Sequence, residues 1–427
     1  MFTAAFASLT KMNFNKLLSG NITKYQKEGF IMISVGIDVS KGKSTVCIMK
    51  PCGEILESPF DIGHTADELD SLISLIKSFD EETRVVMEDT GHYHLPVATY
   101  LSSHNIFVCC VNALRMKKFC SQSIRRAKTD KIDSIKIASF GITYWNELVK
   151  AYPSNVIYDE LKFLARQYYQ VTGMLVKSKV NFSNLLDQVM PKINDVLSNQ
   201  GENHKLTEFV SRYIHFQNIL DMGEMKFTSD YCKWAKKKGY RLNERKAAEI
   251  LALAQNGIPT LPNSQSVKIA VSEAVKLIHS IEESRNTILA QMQDFCNTLP
   301  EYSVVKEMDC IGDTLAPRII AEIGDVRRFK NKHSLIAYAG IDAPPYQSGA
   351  FHASERHISK RGNSYLRKTG YEIMQSLIKH KPADNAVYDF IQKKRSEGKC
   401  GKEAMIAGLN KFLRVYYGKV MEFYSEH

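Results

Sequence analysis

The sequence predicts an α/β region followed by a mainly α-helical remainder, and three observations predict it. Short runs of alternating apolar residues open the pattern between residues 32 and 62. Short strand-like runs then alternate with helical periodicity to about residue 144. Beyond that lie two stretches of about 30 residues whose apolar positions keep an unbroken 3,4 spacing.

In the first run Val35, Ile37 and Val39 alternate with Ser34, Gly36 and Asp38. Residues 44–50 form a second strand after the Lys41-Gly42-Lys43 turn, and residues 54–62 a third, giving a meander of three antiparallel strands. Residues 65–79 carry helical spacing at Leu69, Leu72, Ile73 and Ile76, with Thr65 as N-cap and Glu68 completing a capping box. A strand at 84–88, a helix at 95–104, a strand at 106–111 and a helix from Thr129 follow. Three strands, then helix, strand, helix, strand, helix is the element order of a ribonuclease H-like fold. In that order acids at strand ends and acids on the late helix can meet at one edge of the sheet.

The first long periodic stretch holds Leu161, Leu164, Tyr168, Val171, Leu175, Ser178, Phe182, Leu185 and Val189. The second holds Val267, Val271, Ala274, Ile278, Ile281, Arg285, Ile288, Met292, Phe295 and Leu299. Helices of that length reach about 45 Å, and a sustained 3.5-residue seam is a coiled-coil signature. The seams read as a two-helix hairpin within one chain or as a dimerising arm, and the two readings are compatible. Residues 191–264 between them form a small helical insertion, with a helix at 244–255 and a stop at Lys236-Lys237-Lys238-Gly239. The region from about 301 to 424 is mainly helical, with one Pro/Gly-rich loop at 340–350. The expected organisation is a leader over 1–31, expected to be disordered with Met32 as the natural start, an α/β domain over 32–150, a coiled-coil arm over 151–300 carrying the insertion, and a C-terminal domain over 301–427.

Lys and Arg number 57 against 46 Asp and Glu, a net charge of +11. The segment from Asp325 to His427 holds nineteen basic and ten acidic residues, so it alone supplies +9. A second basic block, Arg115, Lys117, Lys118, Arg125, Arg126, Lys128 and Lys131, surrounds Asp130. Such blocks suit a polyanion whose released counterions drive binding, although either alone also reads as a solvated surface. The nine cysteines are scattered without zinc-ligand spacing and read as reduced thiols of a cytosolic protein. No apolar run reaches the length of a membrane span.

Four acids carry the chemistry. Asp38 and Glu88 end apolar strands, and Asp130 and Asp133 are spaced i, i+3 on one side of a helix. Four carboxylates at one place repel unless divalent cations lie between them, and a two-cation site serves phosphodiester chemistry. Strand alternation puts Glu88 and Asp89 on opposite faces, so only one of them joins Asp38. Each acid alone also reads as an ordinary turn or helix-start carboxylate. A sugar-kinase reading of Gly-Ile-Asp is disfavoured because Val39, Ser40 and Lys41 stand where a phosphate hairpin needs Gly and Thr. His92 and His94 read as surface or packing histidines.

The motifs Gly36-Ile37-Asp38-Val39-Ser40-Lys41, Glu88-Asp89-Thr90-Gly91 and Lys128-Thr129-Asp130-Lys131-Ile132-Asp133 resemble the RuvC-like DEDD domain of a family of bacterial insertion-sequence transposases, the insertion-sequence one-ten family. Cys310-Ile311-Gly312, Ala321-Glu322-Ile323-Gly324-Asp325, Ala337-Tyr338-Ala339-Gly340-Ile341, Gln347-Ser348-Gly349 and Ile358-Ser359-Lys360-Arg361-Gly362-Asn363 resemble its C-terminal transposase domain. The leader departs from the pattern, as does Cys310, where the family usually has Pro-Gly-Ile-Gly. The resemblance implies a recombinase of donor and target double-stranded DNA, guided by a structured RNA encoded beside the gene, acting in the bacterial cytoplasm at the nucleoid. It implies Mg²⁺ or Mn²⁺ held by Asp38, Glu88, Asp130 and Asp133, and Ser348 as the nucleophile that makes a covalent phosphoserine link. Arg356, Lys360, Arg361 and Arg367 are candidate phosphate clamps beside it. Read without the resemblance, Ser348 sits in a turn and bonds backbone, and Ser354, Ser359 and Ser364 compete with it. Ser348 follows Asp133 by 215 residues, so a dimer or tetramer joined through the coiled coil is expected to bring them together. The alternatives are a metal-dependent junction-resolvase-like nuclease and a non-enzymatic nucleic-acid scaffold. The 310–329 segment also resembles a helix-hairpin-helix.

Overall fold

The structure is a computed structural model that describes residues 32–89, 91–121, 129–151, 156–198, 204–241, 244–344 and 357–426, with the backbone alone at 347–348 and 351–352. The leader over 1–31, and Arg125, Arg126, Lys128, Ser354 and Arg356, lie outside the described residues. The chain divides into two compact units, one ending at Pro153 and one beginning at Ser154.

The first unit contains strands β1 (Met32–Val39), β2 (Lys43–Met49), β3 (Ile55–Gly63), β4 (Glu82–Glu88) and β5 (Phe107–Val111). Its helices are α1 (Ala66–Lys77), α2 (His94–Ser103), α3 (Ala113–Cys120) and α4 (Asp130–Thr143). The sheet order is β3-β2-β1-β4-β5. β1 pairs antiparallel with β2, which pairs antiparallel with β3, while β1, β4 and β5 run parallel. This is the meander followed by parallel strands that the element order predicts. α3 is an element that the sequence reading did not contain. The predicted capping box also differs: Glu68 accepts the Gly63 N–H on one oxygen and the Thr65 hydroxyl at 3.4 Å on the other, and the Thr65 side chain caps no helix amide.

Strand alternation sorts the sheet into two cores. Ile33, Val35, Ile37 and Val39 of β1 and Val85 and Met87 of β4 pack with Leu69 and Leu72 of α1 and Val97 and Leu101 of α2. On the other face Val86 packs with Met116 of α3, Ile137 and Phe140 of α4, and Trp145. α4 crosses β1 in near contact, antiparallel to it, because Gly141 meets Ser34 while Ser134 and Ala138 meet Gly36. A Cβ on Gly36 would lie 2.7 Å from the Ala138 Cα and closer still to Ala138 N and Ser134 O, so no side chain fits there.

In the second unit α5 (Val156–Val189) and α11 (Gln265–Asn297) are the two long helices. Tyr158, Leu161, Ala165 and Tyr168 share a core with Met292 and Cys296, whereas Phe182, Leu186 and Val189 share one with Val267, Val271 and Val275. The pair is therefore antiparallel, each about 50 Å long, and every predicted seam position is buried or half-buried. Between them lie a single turn α6 (Ile193–Val196) and the insertion helices α7 (Lys205–Tyr213), α8 (Phe216–Met222), α9 (Glu224–Lys237) and α10 (Glu244–Asn256). The C-terminal helices are α12 (Tyr302–Lys306), α13 (Gly312–Ile323), α14 (Lys332–Ala339), α15 (Ser364–His380), α16 (Ala386–Ser396) and α17 (Gly401–Glu426), with the short ladder β6 (Gln347–Ser348) and β7 (Phe351–His352) before α15. The start of α5 and the end of α11 belong to the same core as α13, α15 and α17. The expected division at about residue 300 is thus bridged by one continuous apolar core.

Among the described residues no helix is long and apolar enough to cross a membrane.

Candidate active site

Asp38 occupies the last turn of the β1 pleat, opposite Thr45 of β2 and one residue beyond the Ile37–Met87 pair with β4. Because Ile37 and Val39 face α1 and α2, Asp38 faces α4. Glu88 ends β4 opposite Val111 of β5. Met87 faces α1 and α2 and Val86 faces α4, so Glu88 shares Asp38's face and Asp89 takes the other. Asp89 lies instead 3.6 Å from Nε2 of the buried His94.

Thr129 caps α4, its hydroxyl accepting the Ile132 N–H at 3.2 Å, which sets Asp130 and Asp133 in the first turn. The antiparallel crossing at Gly36 carries that first turn toward the Asp38 end of β1. Asp133 is half-buried and its Oδ1 lies 3.4 Å from Lys136 Nζ, while Asp130 is exposed. Cys120 at the end of α3 senses the grouping. Burial first, and then the charges of Asp133, Glu88 and Asp38, push its thiol up against the opposing pull of Lys136. Three of the four acids thus act on one point.

The basic block divides. Arg115 is held within the unit, paired with Glu147 and stacked over Phe140 and Tyr144. Lys117 and Lys118 are exposed on α3.

In the second unit Ser348 pairs with Phe351 and Gln347 with His352. The ends of the segment bearing them are tied together. Ser359 N–H donates to the Asp342 carbonyl at 2.8 Å, Lys360 N–H to that of Gly340 at 3.0 Å, and Asn363 N–H to that of Tyr338 at 2.7 Å. The Ser359 hydroxyl also donates to the Asp342 carboxylate. Arg367 braces this neck, donating to the carbonyls of Ala339 at 2.9 Å and Gly362 at 3.0 Å. Lys360 and Arg361 are exposed beside it.

Under the neck lies a polar network that the sequence reading did not name. Glu322 is buried; Arg166 reaches its Oε2 at 3.0 Å and Asn363 the same oxygen at 2.7 Å. Burial raises the Glu322 carboxyl even against these donors. Burial would raise Tyr338 as well, but Lys162 and Arg328 outweigh it and lower its hydroxyl. Alongside runs a groove of about 1240 Å³. His333, His357, Lys402, Lys411 and Arg414 line it, and Asp342 joins it to the neck. Those side chains come from α14, the stretch before α15, and α17, so no local sequence signal gathers them.

The mixed sheet carries its acids at one end, and the family models identify the class as DEDD transposases, enzymes of DNA recombination. Residues 35–191 match the family model described as DEDD transposase of IS110, and residues 302–389 match that of the transposase IS116/IS110/IS902 family. Together these cover more than half of the chain, which belongs to the IS110 family of insertion-sequence transposases. It is similar to the insertion element IS110 uncharacterized 43.6 kDa protein of Streptomyces coelicolor, at 21% identity over 70% of this chain and 72% of that one. It is similar also to the insertion element IS116 uncharacterized 44.8 kDa protein of Streptomyces clavuligerus, at 22% over 88% of this chain and 91% of the other. The pilin gene-inverting protein of Moraxella bovis matches at 26% over 31% of this chain and 42% of its own length.

Proposed function

We propose that this transposase cuts and rejoins donor and target DNA by attack of the Ser348 hydroxyl on a DNA phosphate, beside Mg²⁺ or Mn²⁺ held by Asp38, Glu88, Asp130 and Asp133. The observation that carries this reading is the shared face of Asp38 and Glu88 on adjacent parallel strands, with the first turn of α4 directed to it. The donor set fits a hard cation, because carboxylate oxygens suit Mg²⁺ and Mn²⁺ and three of these acids act together on Cys120. When bound, such ions lower a hydroxyl pKa and take up charge on a phosphoryl oxygen.

Asp38 and Glu88 are fixed by the sheet ladder, so their carboxylates keep position without ordering a loop. In the exchange the Ser348 Oγ loses its proton and bonds to phosphorus, while the phosphorus bond to the leaving deoxyribose oxygen breaks and that oxygen gains a proton. The phosphoserine ester retains one diester bond for another, so a second strand's hydroxyl rejoins by the reverse step without an energy donor. Lys360, Arg361 and the cationic groove fix phosphates next to the neck of the Ser348 segment. Lys117 and Lys118 serve the same purpose beside the acids, and Arg125, Arg126, Lys128 and Arg356, outside the described residues, are assigned to nucleic-acid binding with them. Arg115 and Arg367 act through the elements they brace.

A structured RNA encoded by the element selects the two DNA sites, and the polyanion-binding charge of +11 accommodates both nucleic acids. The enzyme works in the cytoplasm at the nucleoid as a dimer or tetramer. Since the two long seams face each other within one chain, self-association of the arms uses their outer faces, where Phe163 and Met174 are exposed. The test is replacement of Ser348 by Ala. It abolishes every covalent protein–DNA adduct, and mapping the adduct in the wild-type chain identifies residue 348. Cleavage that persists without an adduct turns the reading to a resolvase-like nuclease, and an adduct mapped to Ser359 or Ser364 moves the nucleophile.

A further inference from the structure

A second constellation lies on the insertion and has no part in the chemistry above. His279 and Glu282 stand i, i+3 on one face of α11. His204 precedes α7, and its carbonyl accepts the Glu208 N–H at 2.9 Å and the Thr207 hydroxyl at 2.9 Å, which fixes it to the helix start. One ligand atom from each of the three lies within 4.8 Å of the others. The imidazole centroids of His204 and His279 are 4.9 Å apart.

We propose that His204, His279 and Glu282 bind one transition-metal ion of the Zn²⁺ class, which fastens the insertion to α11. The Glu282 side chain is only 12% exposed, and Lys179 of α5 holds its Oε1 at 2.7 Å. Its other oxygen, Oε2, is buried without a hydrogen bond and faces His204 Nδ1 at 3.4 Å. That separation is long for a charge-assisted hydrogen bond. It is also the edge of a tetrahedron about a Zn²⁺ ion, since ligands at about 2.0–2.1 Å stand about 3.3–3.4 Å apart. Two imidazoles and one carboxylate are a borderline donor set that selects Zn²⁺ over Mg²⁺, and Lys179 orients the carboxylate from behind as outer partners of metal ligands do. The His279 ligand atom, within 4.8 Å of the other two, comes to tetrahedral spacing by a side-chain rotation. The fourth position is left to water. The site ties the start of α7 to the middle of α11, elements 75 residues apart, so its binding energy adds to the stability of the insertion.

The test uses the full untagged chain, stripped with a chelator and dialysed against Zn²⁺, with bound metal counted by mass spectrometry. The wild-type chain is expected to hold one equivalent more than His279→Gln or His204→Gln, and Asp38→Asn is expected to retain that equivalent. The nine cysteines are common to all the chains and cancel in the difference. Co²⁺ is expected to give the visible absorption of a tetrahedral N/O site in the wild type alone, and Zn²⁺, not Mg²⁺, to raise the melting temperature read from Trp234 in α9. Equal zinc content in the wild type and both folded His variants overturns the proposal and leaves an ordinary His204–Glu282 ion pair. If the Gln variants do not fold, the absence of a tetrahedral Co²⁺ spectrum in the wild type overturns it equally.

Discussion

Replacing Gly36 with Ala tests whether α4 is positioned by its contact with β1. The new methyl carbon would lie 2.7 Å from the Ala138 Cα, where carbon atoms rest at about 3.5–4.0 Å, so strand and helix must part by about 1 Å. Both obstacles are backbone and cannot rotate away, which puts the cost at the upper end of overpacking, about 3 kcal/mol. The same displacement shifts the first turn of α4 relative to Asp38, and a misplacement of about 1 Å at reacting groups reduces turnover about 100-fold. Trp145 and Trp234 are the two tryptophans, one in each unit, so urea unfolding in a Trp234→Phe background reads the first unit alone. Gly173→Ala is the control: it lies within α5 with open space around its Cβ, and the same chemical change there stabilises by about 0.5–1 kcal/mol. Wild-type stability of Gly36→Ala in the Trp145 signal refutes the close crossing. A loss of about 3 kcal/mol with undiminished DNA cleavage refutes the assignment of α4 as the element that places the acids.

Cys310 has φ 64°, in the left-handed region, so Cys310→Gly is expected to relieve about 1 kcal/mol, seen as a higher urea midpoint of the second unit. Asp230 accepts Arg212 Nη2 at 2.6 Å and Nε at 2.9 Å and Tyr213 Oη at 2.8 Å, and the Arg212 bonds lower its pKa. Its contribution is therefore complete above the unfolded carboxyl value of about 3.9 and disappears as pH falls through the lower folded value; Asp230→Asn costs about 1 kcal/mol at neutral pH, discounted for the exposed Arg212, and the gap closes in urea titrations below pH 4. Phe163→Asp with Met174→Asp is expected to reduce the mass measured by light scattering if the outer faces of the arms join copies, and an unchanged mass removes those faces from the interface.

Period-two patterning carried the most information. It required Glu88 and Asp89 to face oppositely, so that one alone could join Asp38, because adjacent strand residues must point oppositely, and the two cores of the sheet decide for Glu88. Thr129 as the start of α4 was legible for a similar reason, since a threonine there can take an amide that the helix leaves unpaired. α3 was not legible: Met116 is its one buried side chain, and its string of basic residues reads as a surface run. The capping box formed only in part: Glu68 meets the Thr65 hydroxyl, but its other oxygen takes the Gly63 amide that the end of β3 brings into reach.

Periodicity also states that a face is covered without stating by what. The seams of α5 and α11 satisfied one another within the chain, and the ends of both helices were drawn into the C-terminal core by Ile319, Ile320 and Leu413, residues more than a hundred positions from α5. Charge has the same ambiguity. Arg115 and Lys117 stand two residues apart and both are exposed, yet the guanidinium is paired with Glu147 and stacked over Phe140 and Tyr144 while the lysine projects into solvent. Arg361 and Arg367 divide in the same way, because the second turns inward to carbonyls left by the neck of the Ser348 segment. A basic run therefore fixes how much positive charge a segment brings, whereas the acceptors that the fold leaves within reach decide how much of it remains for phosphate. The groove of α17 makes the converse point: Lys402, Lys411 and Arg414, spaced too widely to form a run, line one groove in which Asp342 and Glu403 are the carboxylates among the described residues.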